Sequence, residues 1–182
     1  MSELDAVIDL DAVIDRLVRP IEDWPEPGVT FRDITPLLAD PTAFDAVVDA
    51  LVSLARESGP VDAVLGIEAR GFLFGPSIAL RLGVGFVPVR KAGKLPAESL
   101  STSYDLEYGS ATLEMHVDAI AAGARVLVVD DVLATGGTLL AAADLVGQAG
   151  GSVAGNLVLI ELLALGGRDR LTDASCSALR TY

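Results

Sequence analysis

Between Val126 and Thr138 the chain reads VLVVDDVLATGGT, and its residue types suit two kinds of chemistry at once. Asp130 and Asp131 are adjacent carboxylates, which accept hydrogen bonds from neutral hydroxyl groups. Ala134, Thr135, Gly136, Gly137 and Thr138 are small enough for the backbone to come close to an oxyanion. A helical pattern, LLAAADLVGQAG, starts at once, and a helix N-terminus offers unpaired N–H donors with a partial positive charge. A phosphate cradle beside a pair of hydroxyl acceptors describes a site for a ribose 5-phosphate. The plainer reading is an ordinary strand–helix turn of an α/β domain, or one that holds a different phosphate.

These residues must be positioned by the elements around them. The apolar run Val126–Val129 suits a strand buried on both faces of a parallel sheet, whose ligands bind beyond the strands' carboxyl ends. A second unit of the same kind runs from a strand at Val61–Ile67 through Glu68-Ala69-Arg70-Gly71 into a helix over Phe72–Leu82. A second anion loop is therefore expected, with Arg70 either a pyrophosphate clamp or a solvated loop charge. Gly66 and Gly71 have Walker A spacing, but Phe72 stands where the lysine must be. Gly85–Arg90 reads as a short strand, with Pro88 acceptable at an edge or strand end.

Arg90, Lys91 and Lys94 follow within five residues, in a chain with only 13 basic residues. The polar run from Pro96 to Ser103 comes next and is expected to be flexible. The cluster is either a solvated loop or a lid that carries charge onto a phosphorylated substrate and excludes water. Tyr104–Tyr108 and Ala111–His116 alternate as the arms of a hairpin, with Glu107 projecting from the first arm. His116, the single histidine, reads as a strand-end surface residue, and with no G-x-S-x-G elbow a serine–histidine hydrolase is excluded.

Thr42–Glu57 reads as a helix with Phe44, Val47, Val48, Leu51 and Leu54 on one face. NLVLIEL reads as a further strand, where Glu161 is either a site residue or an ion-paired structural carboxylate. The tail from Gly166 is short and polar, with Leu171, Leu179 and Tyr182 as anchors. At the other end, LDAVID occurs twice in tandem, Leu4–Asp9 and Leu10–Asp15, which suits one acidic helix over Leu4–Val18 that Pro20 ends. The turn-rich Asp23–Gly28 then leads to Val29-Thr30-Phe31-Arg32. Phe31 offers a stacking face and the backbone of Val29 to Arg32 an edge for a flat base, or the stretch is a surface loop with an aromatic anchor.

The 182 residues fit one domain with a sizeable core. Hydrophobic residues make up 51%, yet no apolar run approaches the ~18 needed to span a bilayer. A net charge of −13 disfavours nucleic acid and anionic lipid as partners. Cys176 is the one cysteine, so an internal disulfide and a cysteine-based zinc site are both excluded. With an acidic N-terminus unlike a secretory signal, a cytoplasmic protein is expected.

DWPEPGVTFRDITPLL (23–38), GIEARGFLFGPSIA (66–79), VRKAGKLP (89–96), SYDLEYG (103–109) and VVDDVLATGGT (128–138) together resemble the adenine branch of the type I phosphoribosyltransferases. The resemblance covers about 23–171. It implies a type I phosphoribosyltransferase fold: a central, mostly parallel twisted α/β sheet flanked by helices, with a small hood and a flexible β-hairpin lid. One domain over 1–182 would comprise an N-terminal acidic helix (1–22), a base-binding hood segment (23–38) and the lid and hairpin (90–116).

The implied reaction is adenine plus phosphoribosyl pyrophosphate (PRPP) giving AMP and pyrophosphate, with Mg²⁺ held mainly by substrate oxygens and water. By the same resemblance Asp130 and Asp131 hold the ribose hydroxyls, Ala134–Thr138 the 5-phosphate, and Val29, Thr30, Phe31 and Arg32 the adenine. The loop at Ala69-Arg70 binds pyrophosphate, often through a cis peptide. Arg90, Lys91 and Lys94 close as the lid, and Glu107 and Tyr108 come down over the sugar, with Glu107 as general acid–base. A homodimer is also implied. Another purine phosphoribosyltransferase and a non-catalytic PRPP-binding regulator are the alternatives, the latter disfavoured by the acidic surface and by Glu107 with the cationic lid.

Overall fold

The computed structural model describes residues 9–105, 110–172 and 175–182. The chain divides into two compact units, Met1–Ala50 and Leu51–Tyr182. In the first, helix α1 (Leu10–Leu17) comprises the second LDAVID copy with Arg16 and Leu17. Asp9, the last residue of the first copy, is its N-cap and accepts from the Ala12 N–H at 3.1 Å. The helix is shorter than the expected Leu4–Val18, whose first five residues lie outside the described ones. Along this helix Leu10, Val13, Ile14 and Leu17 keep the spacing of one face, and Ile14 is fully buried.

Strands β1 (Arg19–Ile21) and β2 (Phe31–Asp33) form a small antiparallel pair, tied by Arg19 bonding Asp33 Oδ2 at 2.5 Å. The Thr35 N–H and then Arg19 hold the Asp33 carboxyl below its ordinary range. Helices α2 (Thr35–Ala39) and α3 (Pro41–Glu57) follow, and α3 continues across the division between the units. Its buried positions are Ala43, Val47, Val48, Leu51, Val52 and Ala55, while Phe44 and Leu54 are half-buried.

The second unit is a seven-stranded sheet among the described residues. In chain order its elements are β3 (Ala63–Ile67), helix α4 (Gly71–Leu82), β4 (Gly85–Lys91), β5 (Ser99–Asp105) and β6 (Ser110–His116), then β7 (Arg125–Leu133), helix α5 (Gly137–Gln148), β8 (Ser152–Glu161) and β9 (Cys176–Thr181). Across the sheet the order is β5-β6-β4-β3-β7-β8-β9. The five strands from β4 to β9 are mutually parallel, and β5 and β6 add an antiparallel hairpin at one edge. Val126 to Val129 are buried on both faces, as the apolar run requires.

Helix α5 covers one face, packing Leu139, Leu145 and Val146 into a core with Leu65, Val89, Val126 and Val128. Helix α4 lies against β3, β4 and β7, with Phe74 and Ile78 fully buried. Gly66 and Gly75 leave room there for the Phe86 ring, since a Cβ on them would stand 2.7 and 2.5 Å from Phe86 Cε2. Pro88 faces Gly66 of β3 in a part of β4 that β6 has not yet reached, because β6 pairs only from Arg90.

Two expectations need correction. The polar run to Ser103 is not all loop: from Ser99 it is the edge strand β5, because Leu100, Thr102 and Tyr104 alternate onto the α5 side while Ser101 and Ser103 are exposed. The tail likewise is not merely anchored by single residues; it supplies β9, parallel to β8, with Asn156 opposite Cys176.

Candidate active site

From β3 the chain crosses through α4 to β4 on one side, and from β7 through α5 to β8 on the other. The strand order therefore reverses between β3 and β7, the place where open α/β sheets bind ligands at the strands' carboxyl ends. The loops that leave these two strands are the two expected anion loops. The loop after β3 meets strand β7 itself: a Cβ on Gly71, at the start of α4, would stand 2.5 Å from the Val129 carbonyl oxygen and 3.5 Å from Asp130 Oδ1.

Asp130 and Asp131 end up inside strand β7 rather than beyond it. Asp131 is buried, and its N–H donates to Asp130 Oδ1 at 2.9 Å. Burial raises the carboxyl pKa of both, and more so at Asp130, where the Asp131 charge adds to it. At Asp131 the Arg70 charge works against burial, and Arg70 Nη1 stands 2.9 Å from Asp131 Oδ2. That oxygen accepts no in-line hydrogen bond, so the contact is charge–charge and leaves an acceptor position on Oδ2 for a hydroxyl donor or a cation. The expected pyrophosphate residue and the expected ribose-hydroxyl residue are thus brought together.

The Ala134–Thr138 loop turns through Gly136, whose φ of +82° favours glycine, and opens α5 at Gly137 without a side-chain cap. The first-turn N–H groups are thereby left for another acceptor. In the neighbouring loop the Glu68–Ala69 peptide is cis, one bond before the Ala69-Arg70 pair. Glu68 accepts from Arg90 Nε at 2.9 Å and from the Lys91 N–H at 3.0 Å, and these two donors, Arg90 first, hold its carboxyl below the ordinary range. Arg90 also lies over the Phe72 ring, 6.0 Å from its centroid.

Lys91 and Lys94 are exposed, flanking a turn through Gly93 whose N–H donates to Glu114 on β6 at 2.9 Å. Glu107 and Tyr108 lie outside the described residues. In the first unit Trp24 meets Phe31 edge to face, with centroids 4.5 Å apart. Val29 closes the turn before it, donating to Glu26 and accepting from the Trp24 N–H, both at 3.1 Å. Thr30 is exposed, and Phe31 and Arg32 are half-buried in β2. Among the described residues no group of three or more His, Cys, Asp or Glu could hold a metal ion. The oxygen donors of Asp130 and Asp131 fit a hard cation shared with a phosphorylated substrate.

The phosphoribosyl transferase domain family matches residues 33–179. An adenine phosphoribosyltransferase of Thermobifida fusca is 59% identical over 173 residues, covering 95% of this chain and 98% of the relative. The chain belongs to the adenine phosphoribosyltransferase family. The crystal structure of a member from Thermoanaerobacter pseudethanolicus superposes with a TM-score of 0.90 at 49% identity, over 95% of this chain and 99% of that one. A Saccharomyces cerevisiae member, complexed with an imino-altritol bisphosphate and adenine, gives 0.88 at 40% identity, over 93% of this chain and 98% of that one.

Sequence reasoning passed over two features beside these loops. Glu68 tethers the root of the cationic segment, a role hidden because its partners are 22 and 23 residues away. The Gly166–Arg170 turn lies against the phosphate loop, where Arg170 Nη1 donates to the Thr135 carbonyl at 2.9 Å. Its signal was there to be read: a Gly-Gly doublet followed by two arginines, in a chain so poor in cations. Glu161 is a structural ion-pair partner, buried and held by Arg168. Burial pushes the Cys176 thiol up to about 11, which leaves it protonated at neutral pH.

Proposed function

We infer that this protein transfers the 5-phosphoribosyl group of PRPP to adenine, giving AMP and pyrophosphate in purine salvage. The observation that carries this reading is the meeting, at the switch point, of the loop after β3 with the two carboxylates of strand β7, where Arg70 stands 2.9 Å from Asp131 Oδ2. The C1–O bond to pyrophosphate breaks, the bond from the adenine imidazole nitrogen to C1 forms, and that nitrogen loses its proton. Asp130 and Asp131 accept from the ribose hydroxyls and lie near the positive charge that develops on the sugar. The amides of Ala134–Thr138 bind the 5-phosphate, while Arg70 and the cations Arg90, Lys91 and Lys94 stabilise the departing pyrophosphate. Magnesium, held on PRPP oxygens and water within reach of Asp130 and Asp131, would neutralise part of that leaving group's charge.

Residues 23–38 serve the base in this reading, with Phe31 stacking on adenine and the Val29–Arg32 backbone meeting its edge. Glu107 takes the imidazole proton; a Glu107→Gln variant is expected to lose at least ~10²-fold in kcat, and normal turnover would remove that role. The chain acts as one phosphoribosyltransferase domain and as a homodimer, for which Leu73 and Leu80, exposed seven residues apart on α4, offer an apolar strip. Light scattering tests the dimer. A cytoplasmic setting is part of the same reading, and a free Cys176 is compatible with it. AMP formation from adenine and PRPP is the direct test: turnover should require Mg²⁺ and hypoxanthine should compete poorly.

A further inference from the structure

Beyond the residues that meet substrate, we propose that the Gly166–Arg170 turn aims the phosphate loop: Arg170 and Gly167 are positioning residues for the amides that hold the 5-phosphate. The proposal rests on the ribose 5-phosphate reading of Ala134–Thr138. A loop that binds a phosphate through N–H groups must keep its carbonyls turned away from that phosphate. In a trans peptide the C=O and the following N–H point in opposite directions. The Thr135–Gly136 peptide is trans, since the cis bonds are Trp24–Pro25 and Glu68–Ala69. Arg170 holds the Thr135 carbonyl at 2.9 Å, and so directs the Gly136 N–H the other way.

Gly167 supplies the steric half. A Cβ there would stand 2.1 Å from the Ala134 carbonyl oxygen and 2.9 Å from the Gly136 nitrogen. A Cβ on Gly136 would stand 2.8 Å from the Gly167 carbonyl oxygen in return. The two backbones touch with no side chain between them, so a shift of the turn is transmitted directly to the loop. The turn in its own right is well anchored. Arg168 Nε donates to Glu161 Oε1 at 2.8 Å, its Nη2 to Glu161 Oε2, and its Nη1 to the Cys176 carbonyl, which fastens it to β8 and β9. The Leu162 N–H bonds the Leu133 carbonyl at 2.9 Å, joining the end of β8 to the end of β7 just before the loop.

The test separates the loop from the rest of the site with two partial ligands, ribose 5-phosphate and pyrophosphate, titrated by calorimetry beside steady-state kinetics. Arg170→Ala, at an exposed position, should weaken ribose 5-phosphate and raise the PRPP KM by about 3–10-fold, the value of one ordinary hydrogen bond. Its kcat, its adenine KM and its pyrophosphate affinity should stay within about twofold. Arg170→Lys should recover about half or more of the lost affinity, because a donor on a long stem is restored. Gly167→Ala should cost more, about 30-fold or above, through the enforced backbone shift. If Gly167→Ala fails to fold, the arginine pair decides alone. An Arg170→Ala protein equal to wild type, or one that loses pyrophosphate as much as ribose 5-phosphate, overturns the proposal. Wild-type protein that binds neither PRPP nor ribose 5-phosphate overturns the functional reading itself, and is distinguishable because it shows before any variant is made.

Discussion

The loop after β7 and the loop after β3 leave neighbouring parallel strands, yet different forces hold them. Ala134–Thr138 is wedged by backbone against backbone: Gly136 on Gly167, with one arginine on a carbonyl. Such contacts are steric and short-ranged, and salt does not weaken them. Glu68–Arg70 is held by charge: Arg70 to Asp131 and Glu68 to Arg90, with the Arg70 and Arg90 side chains 40% and 33% exposed. The exposed arginine ends make both pairs sensitive to salt, and the Glu68–Arg90 pair is worth about 1 kcal/mol or less. The comparison teaches a division of labour. Under the proposed function, a fixed 5-phosphate cradle gives the sugar one orientation, whereas charge-held residues exchange partners as a polyanionic leaving group arrives and departs.

The largest effect should come from removing charge on the adjustable side. Arg70→Ala should lower kcat/KM for PRPP by about 10²–10³-fold. It should also destabilise the protein by about 1–3 kcal/mol, because Asp131 remains buried without its nearest cation; urea denaturation measures this. On the fixed side, Gly136→Ala should cost about 10²-fold in kcat/KM, mostly as PRPP KM, since a side chain at φ +82° meets the Gly167 carbonyl.

Asp130→Asn should move activity and stability in opposite directions. Burial and the Asp131 charge raise the Asp130 pKa above its ordinary 3.8, so in the folded state its ionisation costs stability as pH rises. The variant should therefore melt about 2–4 °C higher at neutral pH, with no gain near pH 3, while PRPP KM rises. A thermal scan against pH reads this.

The smallest effect belongs to Glu68→Gln. Its carboxyl is held below the ordinary 4.5, so its contribution is full above that value and is lost as pH falls through the lowered one. The variant should lose at most about 1 kcal/mol at pH 7, with the difference from wild type vanishing in strong acid and shrinking in salt.

What the sequence disclosed follows the same line. Val126–Val129 announced a doubly buried strand because both faces are apolar, and the two strand–loop–helix units were legible as β3–α4 and β7–α5. Strands β5 and β9 were harder to read, since edge strands carry serine, threonine and charge where a central strand carries valine. The register that sets Gly167 against Gly136, or Arg90 against Glu68, comes from crossovers between distant segments, which local spacing does not encode. A one-residue cap, Asp9, decided how much of the duplicated LDAVID is described as helix.

The division between the two loops is tested most directly by titrating Gly136→Ala and Arg70→Ala with ribose 5-phosphate and pyrophosphate in turn. The account predicts a crossed pattern: Gly136→Ala loses ribose 5-phosphate by about tenfold or more and keeps pyrophosphate, and Arg70→Ala does the reverse. Equal weakening of both ligands by either variant would contradict it.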